Sequence, residues 1–271
     1  KALLAKKILK DTLPYIKSKK SKTFSYIIKN YDRSIGASLS GEIARLYGNY
    51  SLSKKPITLS FTGTAGQSFG AWNVSGLNMT LNGDANDYVG KGMAGGNIVI
   101  QSPKELKTIA SSTVAIGNTC LYGATGGRLF VEGIVGERFA VRNSGCIAVV
   151  EGSGDHACEY MTGGAVIFLG KVGNNFGAGM TGGLSFVYDD NQMLDSNINA
   201  ESVELVKIKP GKYRKHEEFI HKQIKSHFAK TGSLRAKQIL DNFCDEVKKF
   251  YIIKPKSSNI DDLLVIITKA A

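Results

Sequence analysis

The sequence DHACEYMTGGAVIFLGKVGNNFGAGMTGGLSFVY, residues 155–188, contains two copies of one glycine-marked pattern. Six copies align between residues 67 and 187, each on one anchor glycine: Gly76, Gly95, Gly126, Gly145, Gly163 and Gly182. The anchors are 19, 31, 19, 18 and 19 residues apart, so the period is about nineteen with one insertion of about twelve. A period this short is typical of one turn of a β-solenoid, because paired-helix repeats need roughly thirty residues or more.

Two neighbouring apolar columns follow the anchor glycine. The column four residues after it is Thr80, Val99, Phe130, Val149, Ile167 and Phe186. The next column is Leu81, Ile100, Val131, Val150, Phe168 and Val187. β-branched and aromatic residues between glycine turns predict a strand, and neighbouring residues of a strand point to opposite faces. One column is therefore expected to fill the solenoid, and the other to lie under a second layer, either the chain's own flanks or another domain.

A polar column lies eight residues before the anchor: Ser68, Asp87, Asn118, Glu137, Asp155 and Asn174. Four of its members directly follow a glycine: Gly117, Gly136, Gly154 and Gly173. Glycine before Asn or Asp predicts a turn, in which the glycine supplies a positive φ and the short side chain bonds its own backbone. The sequence thus predicts a mainly β fold, a single-stranded parallel β-helix of about six or seven coils with flanking α-helices at both termini.

The flanks divide the chain into three expected parts. Residues 1–60 form an N-terminal helical and strand cap, residues 61–208 the glycine-rich β-helix, and residues 209–271 a C-terminal helical segment, together one structural domain. Residues 1–13 predict a helix that Pro14 ends, and residues 215–230 and 233–250 predict two more. The alternating stretch 202–208 is expected to close the open end of the solenoid. Because the chain begins with Lys1 rather than Met, we expect it to be part of a longer protein.

The insertion after the second copy, SPKELKTIASS from Ser102, predicts a loop with one helical turn. In this prediction Ser102 is the cap and Pro103 takes the first helical position, where its missing N–H has no consequence.

The net charge of +12 is concentrated in the flanks. Residues 1–33 carry ten basic and two acidic side chains, and residues 201–271 carry fifteen and nine, which leaves the middle at −2. The lysines are interpreted as solvated surface, with nucleic-acid binding as the weaker alternative. No apolar run reaches eighteen residues, so no membrane span is predicted. The cysteines, Cys120, Cys146, Cys158 and Cys244, form no C-x-x-C pair, which favours reduced packing residues and a cytoplasmic location.

Two short motifs match the G-x-G-x-x-G pattern of dinucleotide-binding sites, GKGMAG at 90–95 and GAGMTG at 177–182. That chemistry needs the last glycine to open a helix whose amides meet the pyrophosphate. Both motifs instead lead into predicted strands, NIVI and LSFVY. We interpret these glycines as bends that let the coils stack closely, and we predict no cofactor-binding residues.

Other candidate residues also favour structural roles. The stretch SGDHACEYMTGG brings together Asp155, His156, Cys158 and Glu159, which leaves a metal or a Cys–His pair as minor alternatives to packing and hydrogen bonding. Arg138 and Arg142 could bind carboxylates, but tying coils together is favoured. The other histidines, His216, His221 and His227, are spaced by five and six residues, which does not give a metal pair on one helix face. We predict no catalytic and no metal-binding residues.

Long blocks of the sequence resemble one family. NYDRSIGASLSGEIARLYG (30–48), LNGDANDYVGKGMAGGNIVI (81–100) and LYGATGGRLFVEGIVGERFAVRNSG (121–145) are similar to the C-terminal GXGXG domain of the large (alpha) subunit of glutamate synthase. The resemblance runs from about residue 31 to residue 205. It implies a right-handed parallel β-helix within a multidomain iron–sulfur flavoenzyme that makes glutamate from glutamine and 2-oxoglutarate.

The resemblance further implies that FMN and an iron–sulfur cluster are held elsewhere in the parent enzyme. No catalytic residue is carried over to this chain. Its implied role is a scaffold that positions the amidotransferase and FMN-binding domains, with the enzyme's small subunit as a further partner. The electron donor stays open among NADPH, NADH and ferredoxin.

Two alternatives compete with this interpretation. The repeat also resembles the β-helix assembly subunit of another redox complex, formylmethanofuran dehydrogenase, but DRSIGASLSGEI and GERFAVRNSG favour glutamate synthase. A stand-alone β-helix enzyme acting on polysaccharide would need carboxylates clustered on one strand face. The acidic residues are expected to be scattered in turns instead.

Overall fold

The computed structural model describes residues 3–48 and 52–270. Its strands are β1 Lys22–Ile28, β2 Ile57–Ala65, β3 Leu77–Ala85, β4 Ala94–Gln101, β5 Val114–Ile116, β6 Gly126–Val131, β7 Ile134–Val135, β8 Ser144–Val150, β9 Gly152–Ser153, β10 Thr162–Phe168, β11 Gly182–Tyr188, β12 Val203–Lys207 and β13 Phe250–Pro255. Its α-helices are α1 Leu3–Lys17, α2 Ala37–Tyr47, α3 Leu194–Asn197, α4 Arg214–Thr231, α5 Leu234–Asp241, α6 Phe243–Glu246 and α7 Ile260–Ala270.

Eight strands stack in parallel in the order β1–β2–β3–β4–β6–β8–β10–β11. At about 4.8 Å per step the stack is roughly 34 Å long. The short strands β5, β7 and β9 form a second parallel wall, joined to the first where Ala85 pairs with Ile116. The fold is therefore a parallel β-solenoid with flanking helices, as the sequence predicts. Strands β1 and β2 extend the stack beyond the six copies.

The two apolar columns occupy different layers, as predicted. Val99, Phe130, Val149, Ile167 and Phe186 are register partners in successive strands, which confirms the alignment. These five side chains pack under α4, α5 and α7, in a core separate from the solenoid interior. The neighbouring column fills the interior, and all six of its members are buried there. The second layer is thus the chain's own C-terminal flank.

The ends of the solenoid are closed differently. At the first coil, Ile8 and Ile16 of α1 and Leu39 and Ile43 of α2 are buried in the interior core. At the last coil, β13 pairs antiparallel with β11, and β12 pairs with β13. The stretch 202–208 does contain a strand, but β13 is the strand hydrogen-bonded to the last coil.

Several boundaries predicted for the flanks were wrong. Pro14 does not end α1, which continues to Lys17, because burial of Ile16 offsets the missing backbone hydrogen bond. The helix predicted at 233–250 is broken into α5, α6 and a 3-10 turn at Val247–Lys249, and β13 begins at Phe250. The insertion forms a 3-10 helix, Lys104–Ser112, that Pro103 precedes rather than opens. The helix predicted at 215–230 is confirmed by α4. Among the described residues, no helix is both long and apolar enough to cross a membrane.

Candidate functional site

Each of the six coils turns through a five-residue arc of unusual backbone. The arcs are Ser68–Trp72, Tyr88–Gly92, Thr119–Gly123, Arg138–Arg142, His156–Tyr160 and Asn175–Gly179. The first, third and fifth residues of every arc have a positive φ, between 52° and 71°. This left-handed region is normally occupied by glycine, yet twelve of these eighteen positions hold another residue.

Hydrogen bonds between coils explain the alternation. In the fourth arc, Arg138 N donates to Asp155 O of the next coil (2.8 Å), Ala140 N to Cys120 O of the previous coil (2.9 Å), and Arg142 N forward again to Glu159 O (3.0 Å). Successive odd positions therefore point their N–H groups to opposite neighbours. The backbone conformation follows from the stacking, whichever side chain is present.

The first two glycines of each G-x-G-x-x-G match lie in these arcs. Gly90 N donates to Phe69 O (2.9 Å) and Gly92 N to Tyr122 O (2.9 Å), and the last glycine of each match lies at a strand rather than a helix. A phosphate cradle needs unsatisfied N–H groups. These N–H groups are used between coils, which favours the interpretation of the motif as a stacking device.

The polar column forms a ladder between coils, so the predicted turn chemistry was wrong. Asn118 N donates to Asp87 Oδ1 (2.8 Å), Glu137 N to Asn118 Oδ1 (2.8 Å) and Asn174 N to Asp155 Oδ1 (2.6 Å). The side chains therefore bond the neighbouring coil rather than their own backbone.

The four glycines before the polar column also differ from the prediction, because none has a positive φ. A Cβ at Gly117, Gly136 or Gly173 would lie 2.2–2.3 Å from the ladder oxygen of the preceding coil, and close approach is the reason for glycine there. The sequence alignment placed Ser68 in the polar column, but in the structure Ser68 lies one residue beyond that column. Ala65 pairs with Ala85, and Ser68 N bonds Asp87 O as the first arc residue.

The candidate cluster at 155–159 separates into two environments. His156 Nδ1 lies 3.0 Å from Glu159 Oε1, and Arg138 Nη2 of the previous coil lies 3.3 Å from Glu159 Oε2. Cys158 is buried instead, with Sγ 3.3 Å from Ser185 Oγ, and burial raises the pKa of its thiol to about 12. The Cys–His pair considered from sequence is therefore not formed, because the two side chains have different partners. A thiol this reluctant to ionise is a packing residue rather than a nucleophile.

The two arginines differ in what they contact. Arg138 ties its coil to the next through Glu159, as favoured from sequence. Arg142 is exposed, and its guanidinium has no ion pair or hydrogen bond to any residue that the structure describes. Two large aromatic side chains, Trp72 and Tyr160, are 57% and 56% exposed at the same arc position.

A second polar cluster lies beneath the C-terminal helices and was missed from sequence. Gln101, Glu132 and Glu151 occupy one column, six residues after the anchor. Gln101 Nε2 donates to Lys230 O (2.7 Å), and Ser233 donates its hydroxyl to Glu151. Glu132 and Glu151 lie at bends between strands, as expected of the acidic residues, but they stack in one column and are not scattered.

Both carboxylates of this cluster are buried and bonded by the chain itself. Lys107 Nζ of the insertion lies 3.0 Å from Glu132 Oε1 and donates to Thr231 O (2.8 Å). Glu151 Oε1 lies 3.7 Å from Nε2 of buried His227, which stacks on Phe130. The cluster joins the insertion and the α4–α5 junction to the solenoid wall. The column of Gln101, Glu132 and Glu151 is visible in the alignment and could have been predicted.

The three helical histidines do not converge. His216 Nε2 lies 3.2 Å from Ile260 O, and burial lowers the pKa of His216 below its ordinary value. His221 is exposed against the ring of Phe243, and His227 lies at the Glu151 cluster. Over residues 3–48 and 52–270, no three His, Cys, Asp or Glu side chains are grouped as a metal site would need.

Anchor glycines line a shallow groove on the outer strand face. An open groove of about 420 Å³ is lined by Gly76, Gly95, Gly126, Gly145 and the polar side chains beside them, including Arg128. Further along, α7 covers the groove and leaves a cavity of about 130 Å³ between its apolar side chains and the glycines of the last coils.

Comparison with known proteins places the chain. The profile of the GXGXG motif family matches residues 5–256. The ferredoxin-dependent glutamate synthase of Pyropia yezoensis is 51% identical over 241 residues, which are 89% of this chain and 15% of the relative. Ferredoxin-dependent glutamate synthase 2 of Synechocystis sp. is 51% identical over 235 residues (87% and 15%), and the NADPH glutamate synthase large chain of Bacillus subtilis is 44% identical over 243 (89% and 16%). The chain thus spans only about 15% of the length of these relatives, and it belongs to the GXGXG family, as the counterpart of one region of glutamate synthase large subunits.

Proposed function

We propose that this chain is the non-catalytic scaffold domain of a glutamate synthase that forms glutamate from glutamine and 2-oxoglutarate. Its role is to position the amidotransferase domain and the FMN and iron–sulfur synthase domain of the parent enzyme. One observation carries the proposal: the buried carboxylates of the coils bond neighbouring coils or the chain's own helices. Glu159, Glu132 and Glu151 are all engaged in this way.

The mechanics of the fold support a positioning role. Neighbouring coils are bonded through strand ladders and arc amides, and three pairs of coils also through the polar side-chain ladder, so strands β1 to β11 form one continuous hydrogen-bonded stack of roughly 34 Å. A rod bonded along its whole length holds attached bodies at a fixed separation. Positioning the amidotransferase and FMN-binding domains relative to one another requires such a fixed separation.

Further parts of the proposal concern the surroundings of the chain. FMN and the iron–sulfur cluster are placed in the parent enzyme outside this chain, and the small subunit is a further partner. We place the protein in the cytoplasm and keep the division into residues 1–60, 61–208 and 209–271. The spacing role of the six anchor glycines is part of the same proposal.

The experiment is a domain replacement in the Synechocystis sp. enzyme. Deleting the region that matches this chain is expected to abolish glutamine-dependent glutamate formation, and inserting this chain at that place to restore it. The relative's own region, reinserted, is the control for the procedure. A correctly folded but inactive replacement, or a deletion variant with full activity, would contradict the proposal. Turnover or bound FMN in this chain alone would contradict its non-catalytic role.

A further inference from the structure

We propose that the fifth arc positions occupied by Trp72, Arg142 and Tyr160 form the surface that docks the remainder of the parent large subunit, against a segment rich in carboxylates. This inference rests on the proposed scaffold function and names the face that performs it. We call these three residues the arc surface.

The arc surface has the composition of a protein interface. Trp, Tyr and Arg are the side chains most enriched at residues that dominate binding energy. The fifth positions stack coil upon coil, because in the first five arcs each bonds the next coil through its N–H. Trp72 and Tyr160 are four coils apart, which is roughly 19 Å at strand spacing. That length suits the centre of one interface.

Backbone strain distinguishes these residues from the other three fifth positions. The fifth position is glycine in the other three coils, Gly92, Gly123 and Gly179, whereas Trp72, Arg142 and Tyr160 have φ of 56°, 55° and 52°. A bulky residue in this region is an outlier, and such outliers concentrate at functional sites.

Other strained arc residues are compensated by their contacts within the chain. The third-position side chains Leu121, Ala140 and Cys158 are buried, and Arg138 of the first position binds Glu159. The rings of Trp72 and Tyr160 partly cover Gly92 and Gly179 of the next coil, but more than half of each residue stays exposed. Arg142 gains no side-chain hydrogen bond or ion pair from any described residue, so its strain is offset by the backbone bond to Glu159 O alone and by no contact of its side chain with a described partner.

The charge of the surface specifies the partner. Among the fourth and fifth arc positions the charged residues are Lys91, Arg142 and Glu159. Glu159 is buried and bonded to Arg138 and His156, which leaves the two cations as the charges facing outward. Lys91 Nζ lies over the rings of Tyr88 (5.3 Å) and Tyr122 (6.0 Å). A partner segment with carboxylates between apolar side chains would complement this arrangement.

The test uses the natural variation between coils. Replacing Trp72, Arg142 or Tyr160 by Gly gives each the residue that other coils carry at that position. The probe is the Synechocystis sp. large subunit lacking its matching region, and the relative's own excised region is the positive control for binding. For Arg142→Gly we expect an unchanged or raised Tm together with a Kd at least about tenfold weaker. Binding should also weaken as salt increases.

Matched controls lie away from the arcs. Tyr31→Gly and Arg214→Gly remove exposed side chains of the same type from the N-terminal cap and from α4 and should leave the Kd unchanged. If this chain binds the probe and the three arc variants bind equally well, the arc surface is wrong while the scaffold function stands. If the positive control binds and this chain does not, the scaffold function fails first. Loss of binding accompanied by a lower Tm in all three variants would assign the side chains a structural role and overturn the inference.

Discussion

The outer faces of the early and late coils differ, although they belong to one repeat. In β1, β2 and β3 the outward column reads Ser25, Ser60 and Thr80, and none of these three belongs to the core beneath the C-terminal helices. From β4 onward the same column reads Val99, Phe130, Val149, Ile167 and Phe186, beneath α4, α5 and α7. The inward column is apolar throughout. The interior is thus set by the repeat, whereas the exterior is set by whether a second layer covers it.

The largest effect is expected from a cavity in the outer column beneath α4, α5 and α7. Phe130→Ala should lower the free energy of unfolding by about 3–5 kcal/mol, because the ring is buried between the wall and α4. Thr80→Ala, two strands away in the same column, should change it by under about 1 kcal/mol. Urea unfolding measures both. Equal losses in the two variants would mean that packing of α4, α5 and α7 on this column adds nothing to the free energy of unfolding.

The next test addresses the approach of one coil to another. Gly163→Val should lower the free energy of unfolding by about 2 kcal/mol or more, because a Cβ at this position would lie 2.3 Å from Ser144 O. Gly41→Val, in an exposed turn of α2 with nothing within 4 Å of its Cβ, is the control and should be within about 0.5 kcal/mol of wild type. An unchanged melting temperature for Gly163→Val would show that the anchor column does not set the coil spacing.

A smaller effect on stability is expected at the contact between the α4–α5 junction and the solenoid. Ser233→Ala removes both the hydrogen bond to buried Glu151 and the cap of α5, in which Ser233 Oγ accepts from Ala236 N. We expect a loss of about 1–3 kcal/mol in chemical denaturation. Ser226→Ala, which removes only a hydroxyl bonded to Lys222 O on α4, should be nearly neutral. Similar losses in the two variants would show that the Glu151 cluster does not stabilise the packing of α4 and α5 on the solenoid.

The smallest effect concerns the pH dependence of stability at the contact between α4 and α7. His216 of α4 contacts Ile260 O and lies 3.9 Å from Asp261 at the start of α7, with Lys215 adjacent. Burial lowers the pKa of His216 in the folded state, so the unfolded chain binds the proton more readily. Its contribution to stability is complete above about pH 6.5 and decreases as the pH falls below that value. His216→Gln should flatten this dependence between about pH 7.5 and 5.5, and an identical slope would exclude His216 as its source.

The repeat and its two apolar columns could be predicted because interior packing requires the same residue type in every coil. The arcs could not, because Trp72, Arg142 and Tyr160 are residue types that avoid a positive φ. Only hydrogen bonding between coils imposes that conformation. The Gln101–Glu132–Glu151 column is visible in the sequence but was not predicted as a cluster, since buried carboxylates are recognised by partners that come from distant parts of the chain. The start of strand β13 was predicted as the end of a helix, because its pairing with β11 is a long-range contact.

That long-range contact has a consequence for synthesis on the ribosome. Each coil from β2 to β11 needs only the residues just made in order to stack on the coil before it. The edge of β11 must wait, because Phe250, the partner of Tyr188, follows it by 62 residues. A nascent chain therefore carries an open strand edge while α4, α5 and α6 emerge, and any message truncated before the codon for Phe250 leaves that edge permanently available for aggregation.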